Sequence, residues 1–159
     1  MKTHLIKAAI LATGMVVLTA GTEPTVAANI NSSGTFCQNF NAAQVTDIDY
    51  LASGVRNLNV NPRAVICSVP RSPLAAGATS GVFFVDGRNT GGASTTCTLS
   101  SFNFNGTFLG STSFTSAAAT YNQFLSLPSA QLGTFAYVSV LCTLPGNANG
   151  VLFGVTSFQ

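Results

Sequence analysis

Apolar and polar positions alternate along most of the chain after residue 29, and a period of two is typical of β-strands. In "RAVICSVP" the alternation places Val65, Cys67 and Val69 on one face. "SGVFFVDGRN" is a second β-prone run, and it stops at Asp86-Gly87. "TFAYVSVLCTLP" is predicted to be the longest strand, central in its sheet and covered on both faces. Gly, Pro, Asn and Ser separate these runs, so the pattern predicts an all-β protein.

A β-hairpin is predicted at Asn105-Gly106, where "TTCTLSSFNF" meets "TFLGSTSF". Asn-Gly is the strongest short hairpin signal, because both residues tolerate the positive φ of a type I′ turn. We therefore expect a two-residue turn at this point.

In the first arm of the predicted hairpin, the apolar residues switch from one face of the strand to the other. Cys97 and Leu99 share one face, whereas Phe102 and Phe104 share the opposite face. A one-residue slip would turn a whole apolar set toward water. A β-bulge at Ser100-Ser101 is the simplest correction.

The elements together predict an antiparallel β-sandwich of the jelly-roll or immunoglobulin-like type, with about eight to ten strands. The helical candidates are "SPLAAGATS" and "TSAAATYNQF", and Ala-rich loops explain both equally well. The sequence has no internal repeat, and its length suits a single domain over residues 29–159.

The first 28 residues have the parts of an export signal. Lys2 and Lys7 are followed by an apolar run from Ala8 to Ala20, and Val26-Ala27-Ala28 supplies small residues for cleavage. The apolar run is too short to span a bilayer, which needs about 20 apolar residues. We expect residues 1–28 to be a signal peptide, and the mature protein to be extracellular or periplasmic without membrane association.

Cleavage would remove much of the ionisable chemistry. After residue 28 the chain keeps four arginines and three aspartates, with no His, Lys, Glu, Met or Trp. General acid–base catalysis draws first on His, and a Ser-His-Asp or Cys-His site is impossible without it. The sequence also lacks the basic surface that binds nucleic acid. It therefore predicts a protein that is not an enzyme, needs no cofactor and does not bind nucleic acid.

Four cysteines follow the signal, at Cys37, Cys67, Cys97 and Cys142. An even number in an exported chain indicates two disulfides, whereas zinc is disfavoured because the chain has no close Cys pair and no later His. Three connectivities are open. Cys37 with Cys67 and Cys97 with Cys142 is favoured, because sequential pairs suit neighbouring antiparallel strands.

"TDIDY" contains two of the three mature carboxylates, Asp47 and Asp49. Calcium prefers six to eight oxygen ligands, so these two could form only a weak calcium site, with Asn41, Thr46 or backbone carbonyls. The favoured interpretation is a surface strand with Ile48 inward, both Asp outward and no metal.

"DGRN" is the other concentration of polar groups, from Asp86 to Asn89. Its simplest interpretation is a turn, because Asp-Gly and Asn suit turn geometry. The alternative is a sugar-binding surface, in which Asp86, Arg88 and Asn89 lie beside the aromatic residues Tyr50 and Tyr121.

The order of cysteines and strands resembles a group of small secreted bacterial proteins of unassigned function. The resemblance follows Cys37, "DIDYLASGVRN", "VICSVPR", "TCTLSS" and "VSVLCTLP", and covers most of the mature chain. It implies an exported β-sandwich in which the first and last cysteine pairs are each bridged, and it implies no active site.

A weaker similarity links the chain to chaperone–usher pilins, whose last strand has a Gly fourteen residues from its end and an aromatic next to last. Gly146 and Phe158 occupy those positions. Two departures are the short segment before Cys37 and the second expected disulfide. The similarity implies a fibre subunit.

These observations favour a secreted, non-catalytic β-sandwich that acts through its surface, by self-association or by binding a protein partner. Near-zero net charge weakens repulsion between copies. The alternatives are a carbohydrate-binding, lectin-like module and a pilin-like subunit.

Overall fold

The computed structural model describes residues 29–158, which form two antiparallel β-sheets packed face to face. The all-β sandwich is confirmed, although it has eleven strands rather than eight to ten. The strands are β1 (Ile30–Ser33), β2 (Gln38–Asn39), β3 (Ile48–Leu51), β4 (Gly54–Asn57), β5 (Arg63–Ser68), β6 (Ser80–Asn89), β7 (Thr95–Phe102), β8 (Phe108–Ser116), β9 (Tyr121–Pro128), β10 (Tyr137–Leu144) and β11 (Gly150–Phe158). The predicted signal peptide, residues 1–28, lies outside the described residues.

Sheet A has the strand order β3-β4-β11-β6-β9, with β1 also paired to β11. Sheet B has the order β2-β5-β10-β7-β8. The two longest strands of sheet A, β6 and β11, are neighbours at its centre. Residues on their outer side therefore lie in the middle of a broad surface.

The core lies between the sheets, because alternation along each strand turns every second side chain inward. Phe83 and Leu152 of sheet A and Leu99 and Val140 of sheet B are completely buried. Burial of such a side chain contributes about 1.5–3 kcal/mol.

Two buried asparagines join the sheets across this core. Asn57 of β4 donates to the carbonyl oxygens of Leu144, the last residue of β10, and of Pro145, which follows it. Asn89 of β6 donates to the Ser116 carbonyl at the end of β8 and accepts from the hydroxyl of Thr95 in β7. A buried amide is stable only when it is hydrogen-bonded in this way.

Both disulfides join neighbouring strands of sheet B. Cys97 of β7 lies directly opposite Cys142 of β10, with Cα atoms 4.0 Å apart. Cys37, just before β2, is bonded to Cys67 of β5 with a Cα separation of 4.1 Å. This is the connectivity that the sequence favours, and it uses all four cysteines.

β7 and β8 form the predicted hairpin, but its turn differs from the expected one. The loop spans residues 103–107, and only Gly106 within it has a positive φ, at 78°. The Asn103 side chain accepts from the backbone N–H groups of Asn105 and Thr107, each at 2.9 Å. The prediction of a two-residue type I′ turn is wrong, because Asn103 caps a longer loop.

The bulge expected at Ser100-Ser101 is also wrong. The register changes between Ser101 and Phe102, which leaves Leu109 of β8 as the extra residue. Ser101 is fully buried, and its hydroxyl donates to a backbone carbonyl 2.6 Å away. Because that hydroxyl is satisfied, β7 keeps its alternation and Phe102 turns outward onto Phe108.

β10 is central in sheet B as predicted, but it has eight residues against ten in β6, so it is not the longest strand. The expectation that both of its faces are covered is wrong: Tyr137 on its outer face is 66% exposed. Thr143 on the same side of β10 and Ser68 on the neighbouring β5 are exposed as well.

Helical structure among residues 29–158 is limited to three short 3-10 segments, Gly34–Phe36, Ala42–Asp47 and Ser129–Gln131. "SPLAAGATS" is a loop, and "TSAAATYNQF" runs from β8 into β9. Within this range no helix has the length and apolar character needed to cross a membrane.

Candidate functional site

The outer side of β6 carries Phe84, Asp86 and Arg88, because the residues between them face the core. The register with β9 sets Phe84 opposite Phe124 and Asp86 opposite Asn122. Directly opposed side chains have Cβ atoms about 4.5–5.5 Å apart. We call the surface formed by Phe84, Asp86, Arg88, Asn122 and Phe124 the Asp86 face.

Two aromatic rings form the apolar part of the Asp86 face. The ring centroids of Phe84 and Phe124 are 5.9 Å apart with an interplanar angle of 67°. This edge-to-face arrangement is favoured by the charge distribution of the rings. Phe124 is 57% exposed, so an apolar surface remains open to a ligand beside the carboxylate.

Asp86 differs from the other two aspartates in its electrostatic environment. It is half-buried, and no residue within 29–158 forms a salt bridge with its carboxylate or a hydrogen bond with its side chain. Burial therefore raises the pKa of the Asp86 carboxyl. A carboxylate that has lost water without gaining a donor is poised to accept hydrogen bonds.

β11 places a glycine beside Asp86. Gly154 lies opposite Asp86 in the register, next to an irregularity after Leu152. A Cβ atom at Gly154 would come within 2.6 Å of the Ser32 carbonyl oxygen, so the approach of β1 requires glycine here. Glycine supplies no side chain to Asp86, and Thr156, two residues further along β11, donates its hydroxyl to the Asn31 side chain at 2.7 Å.

Asn89 and Tyr121 do not belong to this surface. Asn89 is 3% exposed and is held by the inter-sheet hydrogen bonds described above, and Tyr121 is 4% exposed. Burial raises the pKa of the Tyr121 phenol, and its ring packs against Phe114. The structure corrects their assignment as ligand-binding residues, since both face the core.

Tyr50 also lies away from Asp86. It is paired with Val55, which faces the core, and β3 is three strands from β6. Adjacent strands are about 4.8 Å apart, so the separation is about 14 Å and Tyr50 points to the opposite side of the sheet. Of the five sequence-predicted ligand residues, only Asp86 and Arg88 share a surface.

Asp47 and Asp49 are each neutralised by an arginine. Asp47 accepts from Arg63 Nε at 2.6 Å, and Asp49 accepts from Arg56 Nε at 2.7 Å. The Arg63 hydrogen bond holds the pKa of the Asp47 carboxyl below its ordinary value. Ile48 between them is buried, as predicted.

The two carboxylates of "TDIDY" therefore serve two separate ion pairs. Among the described residues no three potential Cys, His, Asp or Glu ligands cluster together. A calcium ion at Asp47 or Asp49 would have to displace an arginine.

Two depressions lie at another place, and Ser68 and Pro70 line both of them. One has a volume of about 330 Å³ and is bordered by Arg71 and Tyr137. The other, of about 360 Å³, is bordered by Phe36. Arg71 donates to backbone carbonyls of residues 133 and 136, and burial lowers the pKa of its guanidinium. Neither depression is lined by a carboxylate, and the Arg71 guanidinium is already hydrogen-bonded to the loop before β10.

Phe84, Asn122 and Phe124 are the residues that sequence reasoning missed. Alternation within "SGVFFVDGRN" puts Phe84 on the same side as Asp86, so the sequence alone was sufficient to assign this ring to the surface. Asn122 and Phe124 join it only through the β6–β9 register, which no local signal specifies.

No protein-family model and no curated protein matches the chain. Among solved structures, the xylan-binding module CBM15 is similar, with a TM-score of 0.50 and 12% identity over 84% of this chain and 97% of that one. A carbohydrate-binding module, CBM36, solved in complex with calcium and xylotriose, has a TM-score of 0.47 and 14% identity, over 83% of this chain and 99% of that one. At these identities the likeness concerns the fold alone: this chain has a β-sandwich resembling that of CBM15.

Proposed function

We propose that the protein is an exported, non-catalytic carbohydrate-binding module that holds its ligand on the Asp86 face. The observation that carries the proposal is the unpaired, half-buried Asp86 carboxylate beside two aromatic rings and an exposed amide. Ligand sites typically combine apolar surface with a few polar groups that fix orientation.

Sugars match the polar part of this surface. An ionised carboxylate is acceptor-only and has room for two hydroxyl donors, which neighbouring sugar hydroxyls supply. Hydrogen bonds to a charged acceptor are about twice as strong as neutral ones. Asn122 both donates and accepts, and Arg88 donates only, so the face can satisfy hydroxyl groups in either role.

The two rings match the apolar side of a sugar, where C–H groups face outward. Phe84 and Phe124 are next to Asp86 and Asn122 in the sheet, so one sugar can contact a ring and the carboxylate together. CBM15, a xylan-binding module of similar fold, supports carbohydrate as the ligand class.

The absence of catalysis is part of the proposal. Glycoside hydrolysis needs two carboxyl groups about 5–9.5 Å apart. Asp47 and Asp49 are engaged by arginines, and β3 is three strands from β6, a distance of about 14 Å. Asp86 is therefore without a second carboxylate, and the surface suits binding only.

Export is supported by the two disulfides, because such bonds persist in oxidising compartments. An extracellular or periplasmic location would also give the protein access to cell-wall or environmental polysaccharides.

The proposal is tested by isothermal titration of the oxidised protein with a panel of neutral oligosaccharides, including xylo- and cello-oligosaccharides. Asp86→Asn removes the charge with little change in shape and is expected to weaken the binding at least about tenfold, the effect of one lost charge-assisted hydrogen bond. Asp49→Asn, which alters a salt-bridged carboxylate of the same sheet, is the matched control and should bind like wild type. Absence of binding across the panel, or equal binding by the Asp86 variant, would refute the proposal.

Self-association, the hypothesis that the sequence favours, stays a prediction. The exposed apolar side chains include Phe36, Phe135 and Tyr137, each at least 66% exposed. Light scattering over a wide concentration range tests this, and a concentration-dependent mass together with an empty oligosaccharide panel would favour self-association over sugar binding.

A further inference from the structure

The outer face of sheet B has a different chemistry from that of sheet A. Its central strands turn serine and threonine outward, because Cys97, Leu99, Val140 and Cys142 take the inward positions. The outward positions of β5, β7, β8 and β10 hold no charged side chain. We call this surface the hydroxyl face.

One row of serines crosses four adjacent strands of this face. Ser111, Ser100, Ser139 and Ser68 are successive partners in β8, β7, β10 and β5. Neighbouring strands are about 4.8 Å apart and outward residues on one strand about 6.7 Å apart. The next outward row holds hydroxyls only on β8 and β7, because Leu141 and Ile66 take its positions on β10 and β5. Serine and threonine are short, and ordering them costs little side-chain entropy.

A second row, Thr115, Thr96 and Thr143, crosses three strands at the other end of the face. The hydroxyls of Thr96 and Thr115 are 2.8 Å apart and exposed. Each hydroxyl is both donor and acceptor. The two rows can therefore bond a surface that is itself made of hydroxyl groups.

An aromatic row borders the opposite end of the hydroxyl face. Phe108, Phe102 and Tyr137 are successive partners in β8, β7 and β10. Phe108 is 56% exposed and Tyr137 66% exposed, whereas Phe102 between them packs edge-to-face on Phe108. The two exposed rings are two strand spacings apart, about 10 Å, which is comparable to two sugar units of an extended chain.

We infer that the hydroxyl face is a second binding surface, for the flat surface of a neutral, insoluble polysaccharide. The lack of charge matches an uncharged ligand and disfavours a nucleic acid or an anionic lipid. The inference concerns a surface on the other side of the sandwich, and it holds or fails independently of the Asp86 face.

The size of the hydroxyl face favours a polysaccharide over a second copy of the chain. Four strands and six residues along each give a footprint of about 20 by 20 Å, or roughly 400 Å². A stable protein complex buries about 800 Å² on each partner. A face of half that area suits a ligand that many molecules of the protein bind side by side on an extended solid.

Sedimentation of the oxidised protein with microcrystalline cellulose, chitin and insoluble xylan tests this inference. Wild type is expected to co-sediment with at least one solid, and the double variant Phe108→Ser/Tyr137→Ser to lose at least tenfold in partition. These side chains are exposed, so the variant is expected to fold; circular dichroism and thermal unfolding verify this. Thr115→Ala, a milder single change at the far row, should lose about two- to threefold.

Asp49→Asn should still bind the solid, because its altered side chain lies on the opposite sheet and outside both proposed surfaces. The inference is overturned if no solid retains wild type, or if the Phe108/Tyr137 variant binds equally. It is also overturned if the Phe108/Tyr137 changes convert an oligomer to a monomer, since the face would then be a contact between copies. If no insoluble polysaccharide retains the protein, the titration of the Asp86 face with soluble oligosaccharides is unaffected. If that titration shows no binding, the sedimentation test of the hydroxyl face is equally unaffected.

Discussion

Sheet A and sheet B contribute different properties to the same sandwich. Sheet A carries Asp86 and Arg88 on its outer side together with the Asp49–Arg56 ion pair, and contains no disulfide. Sheet B contains both disulfides and has an uncharged outer face on its four longest strands. The outward-facing charges of the strands thus lie on sheet A, whereas the covalent reinforcement lies in sheet B.

The difference shows what holds each sheet in place. Sheet B is bonded within itself, strand to neighbouring strand, by the two disulfides. Sheet A is joined to sheet B by packing and by the buried side chains of Asn57 and Asn89. We therefore expect disulfide loss to act first on sheet B and asparagine loss to act on the contact between the sheets.

The largest expected effect is that of removing the disulfide between the two central strands of sheet B. Cys97→Ala with Cys142→Ala should lower the free energy of unfolding by about 2–5 kcal/mol, because the unfolded chain gains freedom. Urea denaturation measures the loss, and hydrogen exchange should rise first in β7 and β10.

The pair Cys37→Ala with Cys67→Ala is the matched control for that experiment. It opens a loop of 30 rather than 45 residues, so the entropic loss should be slightly smaller. Unchanged stability in both double variants, or faster hydrogen exchange confined to sheet A, would contradict the claim that the disulfides stabilise sheet B.

The next effect distinguishes two asparagines that look equivalent in sequence. Asn89→Ala leaves buried partners unsatisfied and should cost about 1–3 kcal/mol of folding free energy, with ligand affinity unchanged. Asn122→Ala, at an exposed position, should cost less than about 0.5 kcal/mol while weakening sugar binding. Thermal unfolding and titration of both variants give the comparison. If Asn89→Ala weakened sugar binding and Asn122→Ala did not, Asn89 rather than Asn122 would belong to the binding site.

A smaller effect is expected in the pH dependence of stability, where Asp86 and Asp47 have opposite signs. The folded-state pKa of Asp86 is raised, so the protonated form of this carboxyl favours folding. Its contribution to stability is present at low pH and is lost as pH rises through the folded-state pKa. The folded-state pKa of Asp47 is lowered, so its contribution is present above the unfolded pKa and lost as pH falls through the folded one.

Melting temperatures across the acidic range check these signs in Asp86→Asn and Asp47→Asn. Relative to wild type, the Asp86 variant should be more stable near neutral pH and lose that advantage on acidification. The Asp47 variant should be less stable near neutral pH and converge with wild type at low pH. If the melting temperatures of both variants run parallel to those of wild type across the acidic range, folding shifts the pKa of neither carboxyl.

The sequence predicted the sandwich because alternation is local and is preserved in long strands such as β6 and β7. It placed Ile48 inward and favoured the disulfide connectivity that the structure contains. It singled out Asp86 and Arg88 because charge is rare in this chain. These inferences need only composition and a period of two.

The rest depends on contacts between distant segments. Asn122 and Phe124 reach Asp86 only through the pairing of β6 with β9. Asn89 and Tyr121 appeared suitable for a ligand because their residue types are polar or aromatic. Their burial is possible only because partners from sheet B pack against them. Register and burial of this kind have no local signature.

The central claim, that the Asp86 face holds a carbohydrate, is tested most directly by mapping amide chemical shifts of the isotope-labelled protein during titration with the tightest soluble oligosaccharide. If Asp86 holds the sugar, the shifts are confined to residues 84–88, 122–124 and 154–156, and they are lost in Asp86→Asn. Shifts confined to β7, β8 and β10, with sheet A unaffected, would contradict it.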